Sequence, residues 1–244
     1  MTNLAVPTED PAEHTLRSFL LTIASGDGST TLRLLAESPF LATQTVKVGA
    51  TRDEARTYYF ERIAHYVYAG DTALHVAAAA YQRDVALELL RRGANVRARN
   101  RRGAEPLHYA TDGLPGSDGW NPEAQFAMVE LLIRAGSDPN SADTSGVAPL
   151  HRAVRTRSTA AVRALLENRA DPLVRNKHGS TPLHLAVQDT GRGGTGAREA
   201  REEQAEIIQL LLRYGARSTH KDAAGKTVKQ CASAEWVHSL LEAR

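Results

Sequence analysis

Histidine is the residue type in this sequence with the clearest capacity for chemistry, because imidazole can bind a metal ion or transfer a proton near neutral pH. The chain contains nine histidines, and four of them recur in the same local phrase, at His75, His108, His151 and His184. Each of these four follows a leucine and lies two residues before an alanine. The spacing of the phrase therefore decides whether the four histidines can act together.

The phrase that contains these histidines begins at a glycine and repeats along most of the chain. Its copies are Gly70–Ala77, Gly103–Ala110, Gly146–Ala153, Gly179–Ala186 and a more divergent Gly225–Ala232. The intervals between the glycines are 33, 43, 33 and 46 residues, so a 33-residue unit carries ten extra residues in the second interval and thirteen in the fourth. A fixed period of this length is the signature of a repeat architecture.

Each phrase is followed by a second apolar cluster and a turn, which predicts two helices in every unit. The apolar pairs lie at 89–90, 132–133, 165–166 and 211–212. Glycine follows three of these pairs and suits the end of a helix, whereas Arg169 replaces it in the other copy. An Asn or Asp three residues before the next glycine predicts a tight turn, at Asn100, Asp143, Asn176 and Asp222.

The period and the phrase Gly-x-Thr-Pro-Leu-His-x-Ala resemble the ankyrin repeat. The resemblance implies an all-α solenoid of stacked helix-turn-helix units with β-hairpin finger loops, in which five clear repeats follow one degenerate N-terminal repeat. It also assigns structural roles within the repeat to Thr72, His75, His108, His151, Thr181 and His184. Equivalent positions in stacked helix layers lie roughly 10 Å apart, so the four histidines cannot share one metal ion. Glu105 and Ala148 depart from the pattern, because they stand where the family has threonine.

The domain organisation follows from the extent of the repeats. We expect residues 1–12 to form a disordered tail and residues 13–244 to form a single domain. Within it, 13–69 is a degenerate repeat or cap with a long insertion, and 70–244 holds five repeats with insertions near 112–122 and 189–203. Residues 52–63 would form an extra helix or a long finger. The two shorter insertions interrupt the junction between two helices, so they should emerge along one edge.

Sites for catalysis, cofactors or metals are not expected in this chain. The glycine-rich stretch 191–196 follows a predicted helix and lacks the lysine of a phosphate-binding loop, so a flexible insertion explains it better. Cys231 has no histidine partner in a recognisable pattern and lies at an alanine-like position of the last phrase, which favours burial as a small hydrophobe. We therefore expect no enzyme, no cofactor and no metal site.

We expect a monomer that works in the cytoplasm. The 30 basic and 28 acidic residues nearly balance, which argues against a protein built wholly to coat nucleic acid or an acidic membrane. The single cysteine excludes an internal disulfide framework and fits a reducing compartment. No apolar run approaches the roughly 20 residues that a transmembrane helix needs.

The binding surface is carried over from the resemblance, since ankyrin proteins hold partners with their loop tips and first helices. These positions are Tyr68, Asp71, Arg101, Arg102, Asp112, Thr144, Ser145, Arg155, Lys177, His178 and Gln188. The tips are rich in arginine, which pairs with carboxylate or phosphate, so we expect a protein partner with an acidic segment. The alternative is a nucleic acid or other polyanion on the arginine-rich fingers. Trp120, in the first short insertion, either pins that loop or contacts a partner along the insertion edge.

Overall fold

Six pairs of helices make up the fold within the described residues of the computed structural model, which are 11–113, 115, 120–188 and 198–242. The pairs are α1 (Pro11–Ser25) with α2 (Gly28–Glu37), α3 (Ala73–Ala79) with α4 (Arg83–Arg91), α5 (Pro106–Ala110) with α6 (Pro122–Arg134), α7 (Pro149–Arg155) with α8 (Thr159–Glu167), α9 (Pro182–Ala186) with α10 (Arg198–Arg213), and α11 (Val228–Cys231) with α12 (Glu235–Glu242). We call the surface formed by the first helix of each pair the inner face. The all-α solenoid expected from the sequence is confirmed.

Four regions singled out in the sequence fall wholly or partly outside the described residues. The insertions near 112–122 and 189–203 are described only at 112–113, 115, 120–122 and 198–203. The glycine-rich stretch 191–196 lies in the undescribed range 189–197. The expected N-terminal tail, 1–12, overlaps the described range only at its end, where α1 already begins at Pro11. None of the helices in the described ranges combines the length and apolar character that crossing a lipid bilayer requires.

Leucines at equivalent places in the repeats form one continuous core. The leucine before each repeated histidine is fully buried, as is one leucine of each following helix: Leu74, Leu107, Leu150 and Leu183 in the first set, and Leu89, Leu132, Leu165 and Leu211 in the second. Burial of one such side chain contributes roughly 1.5–3 kcal/mol. Because each repeat exposes a leucine layer to its neighbours, the layers are stable only as a stack.

The first helix pair completes this stack at the N-terminal end. Helix α1 buries Leu16, Phe19, Leu20 and Ile23, which recur every three or four residues on one helical face. Helix α1 packs against α3, and α2 packs against α4. The degenerate sequence therefore forms a helix pair that occupies the same place in the stack as the clear repeats.

The long insertion between α2 and α3, which we call the 40–69 insertion, contains no α-helix. It has 3-10 turns at Pro39–Ala42, Arg56–Tyr58 and Glu61–Ile63, and a hairpin of β1 (Tyr59–Phe60) and β2 (His65–Tyr66). Tyr59 lies opposite Tyr66 and Phe60 lies opposite His65. The extra helix considered for 52–63 is therefore wrong, and the segment is a long finger that folds back onto the repeats.

The finger tips are tight turns built by one side chain each. The Oδ1 atom of the Asn or Asp at the turn accepts two backbone N–H groups ahead of it at 2.8–3.1 Å, in Asn100, Asp143, Asn176 and Asp222. Adjacent fingers also touch, because the amide of Thr144 donates to the carbonyl of Arg102 at 2.9 Å. A Cβ on Gly103 would lie 2.9 Å from that amide nitrogen, so the tip needs glycine.

The four repeated histidines link each first helix to the next finger. In each of them Nδ1 accepts the amide of the residue three positions earlier, at 3.1–3.2 Å. Because Nδ1 accepts, the neutral ring carries its proton on Nε2. Nε2 lies 3.1–3.4 Å from a carbonyl of the next finger, those of Ala104, Val147, Ser180 and Lys226. All four rings are buried.

The two shorter insertions close in the same way at their ends. Gln125 of α6 donates through Nε2 to the carbonyl of Ala110, 3.0 Å away at the end of α5. Gln204 of α10 donates to the carbonyl of Ala186, 2.7 Å away at the end of α9. These amides satisfy carbonyls that a helix C-terminus leaves open. Both insertions lie between the two helices of a pair and re-enter the fold at equivalent places.

Acid should destabilise the fold through the buried histidines. Burial lowers the pKa of all four, and that of His108 to about 4 from its ordinary 6.5. Below pH 6.5 the unfolded chain binds protons that the folded chain does not, so this stability is present above pH 6.5 and is lost as pH falls toward 4. We expect His108 alone to account for about 2 kcal/mol between pH 7 and pH 5. Urea unfolding at the two pH values measures the loss.

The matched control for acid destabilisation is His108→Gln, which has no titratable ring. This variant should be less stable than the natural chain at both pH values, because the link to Val147 is changed. Its unfolding free energy should nevertheless fall less between pH 7 and pH 5. An equal fall in both proteins would contradict the role assigned to His108.

Arg169 offers a stabilising substitution. It has a φ of +67° at the place where glycine ends the other second helices, and a side chain in this left-handed region costs about 1–2 kcal/mol. Arg169→Gly should therefore raise the free energy of unfolding by about 1 kcal/mol, measured by thermal or urea unfolding. Arg169→Ala, which retains Cβ, serves as the control and should gain little. If Arg169→Ala raised the free energy of unfolding as much as Arg169→Gly, backbone strain would not be the cause.

Candidate functional site

The eleven residues of the predicted binding surface differ in how far they are accessible to a partner. Eight of the eleven are exposed: Arg101, Arg102, Thr144, Ser145, Arg155, Lys177, His178 and Gln188. Tyr68 and Asp112 are half-buried, and Asp71 is fully buried. The exposed residues lie on the finger tips and near the ends of α7 and α9.

Asp71 is a correction to the predicted site, because its carboxylate belongs to the interior. It accepts hydrogen bonds from the Tyr109 hydroxyl at 2.6 Å, from Asn100 Nδ2 at 2.8 Å and from the amide of Tyr68 at 2.6 Å. A buried carboxylate needs such partners to offset its lost hydration. Burial and the nearby Asp71 charge raise the pKa of Tyr109, so the phenol stays protonated and donates. Asp71 therefore joins adjacent fingers and is not available to a partner.

The 40–69 insertion covers part of the inner face. His65 stacks on Tyr109 of α5 with ring centroids 4.1 Å apart. Arg62 donates to the carbonyl of Ser25 at the end of α1, at 3.3 Å, and Arg17 of α1 donates to the carbonyl of Thr57 at 2.8 Å. The insertion therefore holds α1 and α5 from the inner side. Beyond the insertion, the inner face exposes Arg155 at the end of α7, and Gln188 is exposed two residues after α9.

A partly buried charge cluster supports the tip of the insertion. Arg152 of α7 pairs with Asp112 at 2.9 Å and with Asp143 at 3.4 Å, and His65 Nε2 lies 3.3 Å from the Asp112 carboxylate. Burial acts to raise the pKa of Asp112, but the Arg152 charge and the His65 contact outweigh it and hold the pKa at about 2. The carboxylate therefore stays ionised and ties the insertion to two repeats.

Sequence reasoning missed this cluster, although a signal was present. Arg152 occupies the phrase position that holds Val76, Tyr109 and Leu185 in the other repeats, so a charge replaces an apolar or aromatic side chain. In the sequence His65 has no repeated position and no ligand-type spacing, yet its side chain is only 15% exposed. Its partners lie more than forty residues away in sequence, and no local pattern reports them.

A cavity of about 650 Å³ lies between the insertion and the ends of the first helices. Ser25, Ile63, Tyr81, Trp120 and Thr156 are among the residues that line it. Trp120 Nε1 donates to Gln125 Oε1 at 3.0 Å, so this tryptophan is attached to the body of the protein. Among the described residues, no group of three or more His, Cys, Asp or Glu side chains is placed to hold a metal ion.

The arginines of the fingers have two distinct roles. Arg99 donates to the carbonyls of Gly103 and Ala142, and Arg175 donates to those of Gly179 and Lys221. Both side chains therefore join one finger to the next. Arg101 and Arg102 instead lie over the ring of Tyr68, with guanidinium carbons 5.4 and 5.1 Å from its centroid.

Comparisons with known proteins agree with the repeat geometry. Residues 69–101 match the family model described as ankyrin repeat, and residues 123–222 match the model described as ankyrin repeats in three copies. Together the two matches cover more than half of the chain.

Three curated proteins from different organisms are similar to parts of this chain. E3 ubiquitin-protein ligase KEG of Arabidopsis thaliana is 33% identical over 161 residues, which are 63% of this chain and 9% of that protein. Ankyrin repeat and LEM domain-containing protein 1 homolog of Caenorhabditis elegans is 40% identical over 82 residues, 34% of this chain and 9% of that protein. Neurogenic locus notch homolog protein 1 of Danio rerio is 33% identical over 123 residues, 41% of this chain and 5% of that protein. The chain thus spans less than a tenth of each relative.

Removing the charge of Arg152 should destabilise the fold. Arg152→Leu leaves two carboxylates without their partner, although leucine fits the same phrase position at Leu185. We expect the free energy of unfolding to fall by about 3 kcal/mol, measured by urea unfolding. Combining it with Asp112→Asn should restore part of the loss, because one stranded charge is removed. The control is Arg155→Leu on the exposed side of α7, which should change stability by less than about 0.5 kcal/mol.

Proposed function

Because the chain belongs to the ankyrin-repeat family, we propose that it is a protein-interaction module whose partner binds the finger tips and the uncovered part of the inner face. Ankyrin repeats are generally protein-protein interaction modules, and the fold by itself does not select a partner. The proposal therefore depends on the exposed residues of the fingers, on Arg155 at the end of α7 and on Gln188 after α9. We also propose that the protein is a monomer and works in the cytoplasm.

The position of the 40–69 insertion is the observation that supports this proposal. Its residues Arg62 and His65 contact α1 and α5, where a partner would otherwise reach the inner face. The finger tips, Arg155 at the end of α7 and Gln188 after α9 remain exposed. The proposed site therefore comprises Tyr68, Arg101, Arg102, Thr144, Ser145, Arg155, Lys177, His178 and Gln188.

The positive charge of this surface favours binding of an acidic segment of the partner. Arg101, Arg102, Arg155 and Lys177 are exposed, and none of them forms an ion pair with a carboxylate within the described ranges. Arginine recognises carboxylates through two parallel N–H groups, which adds geometric specificity to charge. The relatives share only the repeat portion with this chain, so their other activities do not enter the proposal.

Charge reversal tests the proposed surface. The full chain carrying Arg102→Glu and Lys177→Glu is compared with the natural chain in affinity capture from its own cells, followed by quantitative mass spectrometry. Proteins that the natural chain enriches should be lost from the variant, because like charges on the surface repel an acidic segment.

The matched control carries Arg91→Glu and Arg213→Glu, which reverse two exposed charges on the second helices α4 and α10. This control should retain the captured proteins. Retention by the finger-tip variant, or equal loss from both variants, would contradict the proposed surface. Recovery of nucleic acid in place of protein, with the same dependence on Arg102 and Lys177, would favour the polyanion alternative.

A further inference from the structure

We infer that Arg101, Arg102 and Tyr68 form a clamp for a pair of acidic residues in a short partner segment, and that Tyr59 and Tyr66 receive an adjacent apolar side chain. The inference rests on the proposed function and specifies the chemistry of the partner. We give the name arginine-tyrosine clamp to all five residues, the charged part Arg101, Arg102 and Tyr68 together with the hairpin tyrosines Tyr59 and Tyr66.

The clamp brings two guanidinium groups onto one aromatic ring. The guanidinium carbon of Arg101 lies 5.4 Å from the Tyr68 centroid, and that of Arg102 lies 5.1 Å from it. Arg102 Nη1 also donates to the Tyr68 hydroxyl at 3.3 Å. Cations at this distance from a ring are attracted by its electron-rich face. Two like charges are therefore held close together at an exposed finger tip.

Several bonds fix the clamp before any partner arrives. Arg101 Nη2 donates to the carbonyl of Ala50, which joins the finger to the 40–69 insertion. The amide of Arg102 donates to Asn100 Oδ1 at 2.9 Å, and the amide of Tyr68 donates to Asp71 Oδ2 at 2.6 Å. Side chains that are already oriented lose less conformational freedom on binding. The clamp is thus pre-organised to recognise a planar carboxylate.

The charge of the clamp has no internal counterion within the described part of the chain. No carboxylate there lies within ion-pairing distance of Arg101 or Arg102. Arg152 and Arg163 show the contrasting arrangement, because each pairs with an acidic side chain. Adjacent acidic residues of a partner would neutralise both charges together and relieve their mutual repulsion.

The apolar side of the clamp is formed by the hairpin. Tyr59 and Tyr66 are 36% and 38% exposed, and their ring centroids lie 4.8 Å apart. The Tyr66 ring lies 6.5 Å from that of Tyr68, so the aromatic surface leads directly to the two arginines. Exposed tyrosines supply a large contact area at low cost in side-chain entropy. An apolar residue next to the acidic pair fits this arrangement.

A short peptide fits the clamp better than a nucleic acid does. A nucleic-acid site follows the phosphate backbone with a continuous row of cations. The next finger instead presents Thr144 and Ser145, and the cation after it is Lys177. Arg99 and Arg175 each donate to two backbone carbonyls, whereas Arg101 donates to one, that of Ala50. The positive charges of Arg101 and Arg102 therefore do not continue as a row along the next finger.

Peptide selection tests the clamp. Random peptides displayed on phage are selected on the full chain, and enriched sequences are synthesised with a fluorophore and titrated by fluorescence anisotropy. We expect enriched peptides to carry two adjacent acidic residues beside an apolar one. Arg102→Gln should weaken their binding by about tenfold, since a charge-assisted hydrogen-bonded pair is lost. The double variant Arg101→Lys and Arg102→Lys should also weaken it, because lysine retains charge but lacks the planar fork.

The control is Arg97→Gln, which removes an exposed arginine from the same finger outside the clamp and should leave affinity unchanged. Circular dichroism melting of each variant shows that it is folded. Enriched peptides without acidic residues, or equal binding by Arg102→Gln, would overturn the clamp and leave the proposed function standing if proteins are still captured. Absence of any enriched peptide, or Arg102-dependent binding of a single-stranded oligonucleotide alone, would also overturn it. If the natural chain captured no protein from its own cells, that result would instead contradict the proposed function itself.

Discussion

The hydrogen bonds of the four repeated histidines are the interaction on which the rest of the structure depends. Each ring accepts an amide at the start of its own first helix and donates to a carbonyl of the next finger, so one side chain sets both the helix start and the position of its neighbour. The ring is buried and neutral, which makes both nitrogens useful in the same orientation. With the repeats joined in this way, the leucine layers meet and the finger tips come within hydrogen-bonding distance of one another.

The 40–69 insertion changes how this common frame is used. The insertion lies against α1 and α5. There His65 stacks on the ring of Tyr109 and contacts the carboxylate of Asp112. Arg152 compensates the charge of Asp112 from the following repeat. The insertion thereby covers the first part of the inner face and also brings Tyr59 and Tyr66 to the finger tips. Covering one surface and building another are results of the same packing.

Arginine shows how strongly environment determines the role of a residue type in this protein. Arg99 and Arg175 satisfy backbone carbonyls between fingers, and Arg152 is enclosed by carboxylates. Arg101 and Arg102 are held by a tyrosine ring and retain their charge at the surface. Arg101 donates to the carbonyl of Ala50 and Arg102 donates to the Tyr68 hydroxyl, and no acidic side chain of the described residues pairs with either guanidinium group. Their remaining N–H groups can therefore recognise a carboxylate.

The sequence by itself determined the repeat, its helix pairs, the turn residues Asn100 and Asp143, and the recurrence of the histidines. These features depend on neighbours within a few residues or on one exact period, and both can be seen in the chain. Only the tertiary structure decided that Asp71 is buried, that His65 and Arg152 meet at Asp112, and that Arg99 and Arg175 join neighbouring fingers whereas Arg101 and Arg102 lie over Tyr68. The physical reason is that the fate of a charge depends on what lies opposite it. Here the opposite groups come from other repeats and from an insertion without a period.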